Sequence, residues 1–353
     1  HFINQIWNRF QISFFIGLNM PATIKDVAEK AQVGVGTVSR VLNNNPSVSR
    51  TTREKVKQAI QELNYTPNPN ARRLSLGKTW HIAVVLPYLT FPSYVERLRG
   101  VQHVLADTEY DLMLYSIGNA HQRDEYLSRL SQKSQVDGLL VISLPPTDQQ
   151  AQMFVDNHIA VVLVDAQHGK LSHVVVDDIS GGELAVEHLI SLGHRRIAFL
   201  SDTLETPFQR SAEDRFTGYQ NTLKKHRIPF RDQYIKTGKS GRRHAYQMAK
   251  DLLQQDTPPT AIFAASDTQA IGTLDAAKNL NIPVPERLSV IGYDGIRDAE
   301  YLELTTIRQP LFNSGVIGTK LLIKSIQTRN VTPQKQQLPI NLVERKTTAP
   351  PDP

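Results

Sequence analysis

The 353-residue chain contains no cysteine. This absence excludes disulfide frameworks, thiolate nucleophiles, iron–sulfur clusters and cysteine zinc sites, and it favours a reducing compartment, which we take to be the cytoplasm. Long hydrophobic runs are also missing, so no segment is expected to cross a bilayer. With 40% hydrophobic and 21% charged residues, the composition is that of a globular protein rather than a disordered or collagen-like chain. The length predicts two or three domains.

The first 19 residues do not resemble a targeting segment. Their apolar side chains are interrupted by polar ones, and the longest unbroken run is only residues 14–16. A signal peptide needs a basic start, a continuous apolar stretch and a small-residue cleavage site, and none is present. We interpret residues 1–19 as a disordered upstream extension outside the fold, with an amphipathic anchor as the alternative.

Positive charge is concentrated in one short region. Residues 20–78 carry ten Lys and Arg against four Asp and Glu, whereas the chain from residue 79 onward carries 29 against 30. A small basic module therefore precedes a nearly neutral body. Concentrated positive charge is typical of a protein that binds a polyanion, and here nucleic acid is favoured over a membrane. A solvated basic face without a partner is the alternative.

The basic module has the periodicity of three short helices. Its apolar residues fall at helical spacing in three runs, which are Ile24, Val27, Ala28 and Ala31, then Val38, Val41 and Leu42, then Val56, Ala59, Ile60 and Leu63. Thr23 and Asp26 have the spacing of a capping box at the start of the first helix. Because the connection around Gly34 is only a few residues long, the first two helices are expected to form a helix-turn-helix.

The segment after the third helix changes character. Residues 64–70 have turn chemistry, and residues 71–77 form a short run that starts after Pro69 and ends at Gly77. A helix of about two turns is too short to persist alone in water. We therefore expect residues 67–79 to form a hinge and linker that folds only when something packs on it.

From residue 80 onward, buried strands alternate with amphipathic helices. Continuous apolar runs predict strands at residues 82–86, 112–117, 139–143, 159–165, 174–177, 197–201, 261–266 and 288–294. This order predicts an α/β body with doubly wound sheets. Several strands end in aspartate, at the edge where open α/β sheets bind ligands, namely at Asp165, Asp177, Asp202, Asp267 and Asp294.

Short motifs in both regions resemble the lactose-repressor (LacI/GalR) family of bacterial transcription regulators. In the basic module they are TIKDVA (23–28), GTVSRVLN (36–43), VS (48–49), TREKV (52–56) and LNYTPN (63–68). In the body they are VDG (136–138), LGHR (192–195), DRFTGY (214–219), IGYD (291–294) and TTIRQP (305–310). Each motif is short, but their order and spacing resemble the family from residue 20 to about residue 346.

This resemblance implies a particular organisation. Residues 20–66 would form an all-α helix-turn-helix headpiece, and the body would consist of two Rossmann-like subdomains shaped like a periplasmic sugar-binding protein. One subdomain would comprise residues 80–178 and 308–336, and the other residues 179–307 and 337–346. The protein would form a homodimer or a higher oligomer, and its two headpieces would occupy successive major grooves of a pseudo-palindromic double-stranded DNA operator.

The second helix is expected to read DNA with the residues that do not face its core. Arg40 is the main candidate, because a guanidinium matches O6 and N7 of guanine in the major groove. Several relatives carry hydrogen-bonding side chains at the positions of Val35 and Gly36, where this chain offers only van der Waals contact. The predicted DNA contacts are Thr23, Val35, Gly36, Thr37, Ser39, Arg40 and Asn43, together with Ala71 and Leu74 of a hinge helix in the minor groove. The alternatives are ordinary capping and surface polarity for the polar residues, and packing on the body for Leu74.

A small-molecule effector is expected to bind between the two subdomains. The resemblance places its contacts at Tyr94, Asp165, Asp177, Arg215, Ser266, Asp267, Asp294 and Gln309. Arg215 and Asp294 are the pair that we expect to be central, since a guanidinium and a carboxylate suit the hydroxyls of a sugar or sugar derivative. A structural ion pair is the alternative. Ser240 replaces an aromatic residue of some relatives, which favours a sugar over a flat base.

No catalytic residue, cofactor or metal ligand is predicted. Gly238-Lys239-Ser240 resembles the end of a phosphate loop, but residue 233 is Gln rather than the required Gly. The 11 histidines form no set with ligand spacing, and His194 is interpreted as a satisfied turn residue. Lys239, Arg242 and Arg243 leave a phosphosugar ligand open. The remaining alternatives to an effector-controlled repressor are a solute-binding protein and a sugar-modifying enzyme on the same scaffold.

Overall fold

The computed structural model describes residues 22–66, 78–132, 135–203, 210–329 and 332–352. The chain divides into two compact units between Gly77 and Lys78, which we call the head and the body. The predicted extension at residues 1–19 and the predicted hinge residues Ala71 and Leu74 lie outside the described residues. Within the described ranges, no helix has the length and apolar character needed to cross a membrane.

The described part of the head folds into the predicted three helices. They are α1 (Ile24–Lys30), α2 (Val35–Leu42) and α3 (Arg50–Glu62). At the start of α1, the backbone amide of Thr23 donates to the Asp26 carboxylate at 2.8 Å, and the Thr23 hydroxyl accepts from the amide of Asp26. Each helix contributes a fully buried valine to one small core, namely Val27, Val38 and Val56.

The body alternates strands and helices. Its described strands are β1 (His81–Pro87), β2 (Asp111–Ile117), β3 (Gly138–Ile142), β4 (Ala160–Val164), β5 (Ser172–Val175), β6 (Ile197–Asp202), β7 (Ile235–Gly238), β8 (Ala261–Ala264), β9 (Ser289–Asp294), β10 (Thr305–Arg308), β11 (Lys335–Gln337) and β12 (Asn341–Val343). Its described helices are α4 (Pro92–Leu105), α5 (Ala120–Leu130), α6 (Asp148–Asp156), α7 (Asp178–Ser191), α8 (Arg210–Lys225), α9 (Arg242–Leu253), α10 (Asp267–Asn279), α11 (Arg297–Tyr301) and α12 (Leu311–Thr328).

The strands form two sheets, each with six strands among the described residues. The first has the order β11-β5-β4-β3-β1-β2 and is parallel throughout. The second has the order β12-β10-β9-β8-β6-β7, in which β12 pairs antiparallel with β10. We call the first sheet with α4–α6 and α12 lobe 1, and the second sheet with α7–α11 lobe 2. This is the predicted doubly wound α/β architecture.

The chain crosses between the lobes after β5, after β10 and after β11. The crossings differ from the predicted boundaries by single residues. Arg308 ends β10 in lobe 2 rather than starting the return to lobe 1, and Gln337 still pairs with Val175 in lobe 1. Lobe 2 also continues past residue 346, because the amide of Val290 donates to the carbonyl of Thr347 at 2.7 Å.

Helices on the lobe surfaces cross at glycines. In lobe 2, α7 packs on α8, and a Cβ on Gly218 would overlap the backbone of Ile179 and Glu183. In lobe 1, α4 packs on α12, where a Cβ on Gly315 would overlap the backbone carbonyl of Arg97. The absent side chains allow the backbones to approach closely, which fixes how each helix pair lies on its sheet.

Candidate functional site

Helix α2 presents an open face to solvent. Val35 is 42% exposed, and Gly36 and Arg40 are exposed as well, whereas Val38 and Val41 are buried in the head core. A Cβ on residue 36 would lie 3.8 Å from a terminal nitrogen of Arg40, so the guanidinium lies along the helix over the glycine. The remaining predicted α2 contacts, Thr37, Ser39 and Asn43, are partly exposed on or next to the same helix.

The head also carries exposed cations that form no ion pair among the described residues. Arg40 and the exposed Lys25, Lys55 and Lys57 form no ion pair among the described residues, whereas Lys30 pairs with Glu62 at 3.0 Å. Arg50 likewise pairs with Glu54 on α3 at 3.0 Å. The head therefore keeps several cations available for an anionic partner.

A cavity of about 80 Å³ lies between the lobes, at the carboxyl ends of the strands. We call it the interlobe cavity. Six of the eight predicted effector contacts line it, namely Tyr94, Asp165, Arg215, Ser266, Asp294 and Gln309. Further lining residues are Arg97, Ser201, Asp202 and Gln269. The topology brings these side chains together because parallel strands of both sheets end at this edge.

Arg215, on α8, forms the polar centre of lobe 2. Its Nε donates to Asp178 at 2.8 Å, its Nη1 donates to the carbonyl of Ala265 at 2.6 Å, and Nη1 lies 3.8 Å from Asp294. The guanidinium also stacks on the Tyr293 ring, 3.7 Å from its centre. Burial disfavours the charge, but Asp178 and its neighbours outweigh this and raise the pKa of Arg215, which stays charged.

A chain of buried hydrogen bonds links the two lobes. Arg97, on α4 of lobe 1, contacts Asp165 at 3.2 Å and donates to the side-chain oxygen of Gln309 at 3.2 Å. Gln309 follows β10 and donates to Asp294 of lobe 2 at 2.6 Å. Asp165 and Asp294 have positive φ angles of 58° and 115°, a backbone conformation that is strained for residues other than glycine.

Burial shifts the carboxyl groups around the cavity towards the neutral form. It raises the pKa of Asp178 to about 6 and raises the pKa values of Asp202 and Asp294, despite the arginines nearby. Burial, together with the charge of Asp165, also raises the pKa of the Tyr94 hydroxyl. The interlobe cavity therefore combines two guanidinium groups with carboxyl groups whose pKa values are raised above the ordinary value.

The structure places two of the predicted effector contacts away from the cavity lining. Asp177 caps α7 by accepting from the amide of Ser180 at 3.0 Å, while the next residue, Asp178, turns inward to Arg215. The helix start takes the first of the two aspartates as its cap, which a strand-end pattern does not reveal. Asp267 is fully buried beneath the loop that follows Asp294.

Sequence reasoning missed Arg97, Ser201 and Gln269. Arg97 is 3% exposed, but nothing in the sequence around an arginine of an amphipathic helix indicates such burial. Ser201 ends an apolar strand run directly before Asp202, so its position at the sheet edge was a usable signal. Gln269 lies in the first turn of α10, where its orientation depends on Asp202.

Other candidate groups have structural partners. The ring of His194 is 1% exposed and bonds with Thr260 at 3.0 Å and with Ser289 at 2.9 Å, as expected of a satisfied buried residue. Arg242 is held by Asp275 through contacts of 2.6 and 2.8 Å, which occupies a side chain considered for phosphate binding. Across the described ranges, no group of three His, Cys, Asp or Glu side chains could hold a metal ion.

Comparison with known proteins agrees with this arrangement along the whole chain. Residues 23–68 match the family described as bacterial regulatory proteins, lacI family, and residues 186–348 match the periplasmic binding protein-like domain. The HTH-type transcriptional repressor PurR of Yersinia pestis bv. Antiqua is 35% identical over 335 residues, which cover 93% of this chain and 97% of PurR.

Solved structures show the same likeness. The lac repressor dimer bound to operator and the anti-inducer ONPF has a TM-score of 0.80 and 29% identity, covering 93% of this chain and 99% of that chain. The complex of the transcriptional regulator CelR with cellobiose has a TM-score of 0.67 and 28% identity, covering 92% and 99%.

These matches confirm the predicted fold class and the prediction of a regulator. The relatives are transcription regulators and share the head as well as the body, which sets aside the solute-binding protein and the sugar-modifying enzyme. The chain belongs to the lacI family of bacterial regulatory proteins.

Proposed function

We propose that the protein represses transcription by binding a pseudo-palindromic double-stranded DNA operator as a homodimer, under the control of a sugar or sugar derivative in the interlobe cavity. The observation that carries this proposal is the open face of α2, where Arg40 is exposed and has no ion-pair partner among the described residues. The names of similar proteins point the same way, since they include a transcriptional repressor, a dimer bound to operator and a complex with cellobiose. A regulator that acts on bacterial DNA works in the cytoplasm, which we propose as its location.

Arg40 is the proposed base reader. Its guanidinium is free to donate two parallel hydrogen bonds to guanine. The neighbouring Gly36 has no side chain, so the helix can approach the DNA closely at that position. Val35 offers only a methyl surface, which suits a thymine methyl. The proposed contacts therefore combine one charged reader with two positions of van der Waals contact.

The start of α2 is proposed to hold a phosphate. Its cap is Gly34, which provides no side-chain hydrogen bond, and its first turn contains no acidic residue. Uncapped amides at the positive end of a helix are a favourable place for an anion. Thr37 adds a polar group in this first turn, whereas Ser39 lies further along the helix and Asn43 caps its opposite end. The Thr23 hydroxyl already donates to Asp26 at 2.8 Å and contributes mainly by fixing the start of α1.

The effector is proposed to act by moving the lobes. Residues of both lobes line the interlobe cavity, so a sugar bound there contacts both lobes and shifts the equilibrium between the closed and the separated state. Separation breaks or rearranges the bridge from Arg97 through Gln309 to Asp294. We propose that this movement reaches the head through the hinge at residues 67–79, with Ala71 and Leu74 in the minor groove when the hinge is helical.

Selection of a high-affinity duplex from a random pool by the full chain, followed by fluorescence anisotropy, tests the DNA-binding part. Arg40→Ala should weaken binding to the selected duplex about 5- to 150-fold, because one bidentate base contact is worth about 1–3 kcal/mol, and should change binding to a scrambled duplex far less. Arg50→Ala is the matched control, since it removes the same charge from a residue paired with Glu54 and should affect both duplexes equally. Equal losses for Arg40→Ala on both duplexes would contradict base reading, and absence of salt-dependent duplex binding would refute the function.

A further inference from the structure

Three buried polar atoms on the wall of the interlobe cavity have no hydrogen-bond partner among the described residues. They are the Ser201 hydroxyl oxygen, the Gln269 side-chain oxygen and the Arg97 Nε, on residues that are 0%, 2% and 3% exposed. Leaving such an atom unpaired costs about 1–3 kcal/mol, and native structures contain few of them. Three on one small cavity indicate a ligand that supplies the missing partners.

The orientation of the Gln269 amide is fixed by its neighbour. Its nitrogen donates to the carboxylate of Asp202 at 2.6 Å, and an ionised carboxylate can only accept. The amide oxygen is therefore the atom that lacks a partner, and it requires a donor. Ser201, one residue before Asp202, can either donate or accept. Lobe 2 thus presents an acceptor and a hydroxyl at the same end of the cavity.

Only some ligand groups can form hydrogen bonds with both the Gln269 oxygen and the Ser201 hydroxyl. A hydroxyl donates to Gln269 and can accept from Ser201 or from the Arg97 Nε. A carboxylate or a phosphate oxygen accepts only, so it leaves the Gln269 oxygen unpaired and adds negative charge close to Asp202. These atoms therefore distinguish a hydroxyl from an acidic group of similar size.

The charges around the cavity give a second, independent argument. Arg97 lies 3.2 Å from Asp165, and Arg215 lies between Asp178 and Asp294. Both guanidinium groups are thus already compensated by carboxylates, and Asp202 adds a further acid to the lining. No uncompensated cation remains among the described lining residues to pair with an anionic ligand.

We propose that Ser201 and Gln269 form a hydroxyl-reading subsite in lobe 2, and that the effector is an uncharged, hydroxyl-rich molecule rather than a phosphorylated or acidic sugar. This inference rests on the proposed function, because it assigns the interlobe cavity to the effector. It narrows the ligand class and names the residues that select it.

A thermal-shift screen of the full chain tests the ligand class. The probes are ribose, glucose, galactose and cellobiose, each at the same concentration, with ribose 5-phosphate, glucose 6-phosphate and gluconate as charged counterparts and hypoxanthine as a planar base. At least one uncharged sugar should raise the melting temperature, while its charged counterpart should not. Stronger binding of a charged counterpart or of hypoxanthine overturns the proposal, and so does a panel in which no uncharged sugar binds.

Two matched serine variants test the subsite by calorimetric titration with the sugar that binds. Ser201→Ala should weaken its binding about 2- to 10-fold, the equivalent of one net hydrogen bond, and should leave the ligand-free melting temperature unchanged or higher. Ser289→Ala is the control, because that fully buried hydroxyl bonds with His194 and donates to the carbonyl of Ala349. It should lower the melting temperature and leave sugar affinity unchanged.

An unchanged affinity for Ser201→Ala overturns the subsite. Binding of the selected duplex by the same unliganded samples reports separately on the proposed function. Duplex binding that persists while the sugar results fail therefore refutes this inference alone, whereas loss of duplex binding refutes the proposed function.

Discussion

Replacing Asp267 by alanine tests whether this residue supports the interlobe cavity from behind or contacts the ligand. Its buried carboxylate accepts from the amides of Gly295 and Ile296 at 2.7 and 2.9 Å and from the Thr306 hydroxyl at 2.6 Å. Both amides follow Asp294, which lines the cavity in a strained backbone conformation. Asp267 therefore holds the loop that presents Asp294, and its loss should destabilise lobe 2.

The magnitude follows from the groups that Asp267→Ala leaves without an acceptor. Each unsatisfied amide costs about 1–3 kcal/mol, so the two amides together amount to about 2–6 kcal/mol before the hydroxyl of Thr306 is considered. For domains of roughly 150 to 250 residues, each kcal/mol lowers the melting temperature by about 2–4 °C. We therefore expect a fall of at least about 4 °C.

Scanning calorimetry of the full chain at pH 7 measures this effect, with Asp267→Asn as the matched variant. The asparagine keeps an oxygen for the two amides and turns its nitrogen to Thr306, whose hydroxyl can accept. It should therefore lose less than half as much stability as the alanine variant. An alanine variant that melts within about 2 °C of the parent would refute the supporting role and favour direct ligand contact.

Two further predictions concern lobe 2. Burial raises the pKa of Asp178 to about 6, above the 3.8 of an unfolded chain, so the folded state binds the extra proton between these values. As pH rises from about 4 to about 6, the free energy of unfolding of the parent should fall by on the order of 3 kcal/mol relative to that of Asp178→Asn, as measured by urea unfolding. A difference between the two free energies that does not change with pH would contradict this. Gly218→Ala should lower the free energy of unfolding by at least about 1–3 kcal/mol, because the added Cβ meets the backbone of α7. Gly169→Ala is the control and should not lower it, because no atom lies within 4 Å of the added Cβ. Equal stability of the two variants would contradict the close crossing of α7 and α8.

The fold was predictable wherever a buried segment appears in the sequence as a continuous run of apolar residues. The eight predicted strands include the centre of both sheets, because strands buried on both faces read as apolar runs. The pattern missed β7, β11 and β12, whose short segments contain no buried residue, and it missed β10, which is only four residues long. Such strands are defined by pairing with a neighbour rather than by their own composition.

The candidate site was predictable only in part, for a related reason. Aspartates at strand ends located the correct edge of both sheets, and the predicted pair Arg215 and Asp294 lie 3.8 Å apart. The sequence did not indicate that Asp178 rather than Asp177 faces inward, since that depends on where α7 begins. Arg97 and its partner Gln309 are 212 positions apart, so only the assembled lobes bring them together.

The bridge between the lobes and the unpaired atoms affect the closed state differently. The hydrogen bonds from Arg97 through Gln309 to Asp294 stabilise it, whereas the Ser201 and Gln269 oxygens lack partners in it. A ligand small enough for the closed cavity satisfies those atoms and favours closure, whereas a larger one must hold the lobes apart and break the bridge. A ligand shifts the equilibrium only by its difference in affinity for the two states. The effector therefore closes the body if it binds the closed state more tightly, and it opens the body if it binds the separated state more tightly.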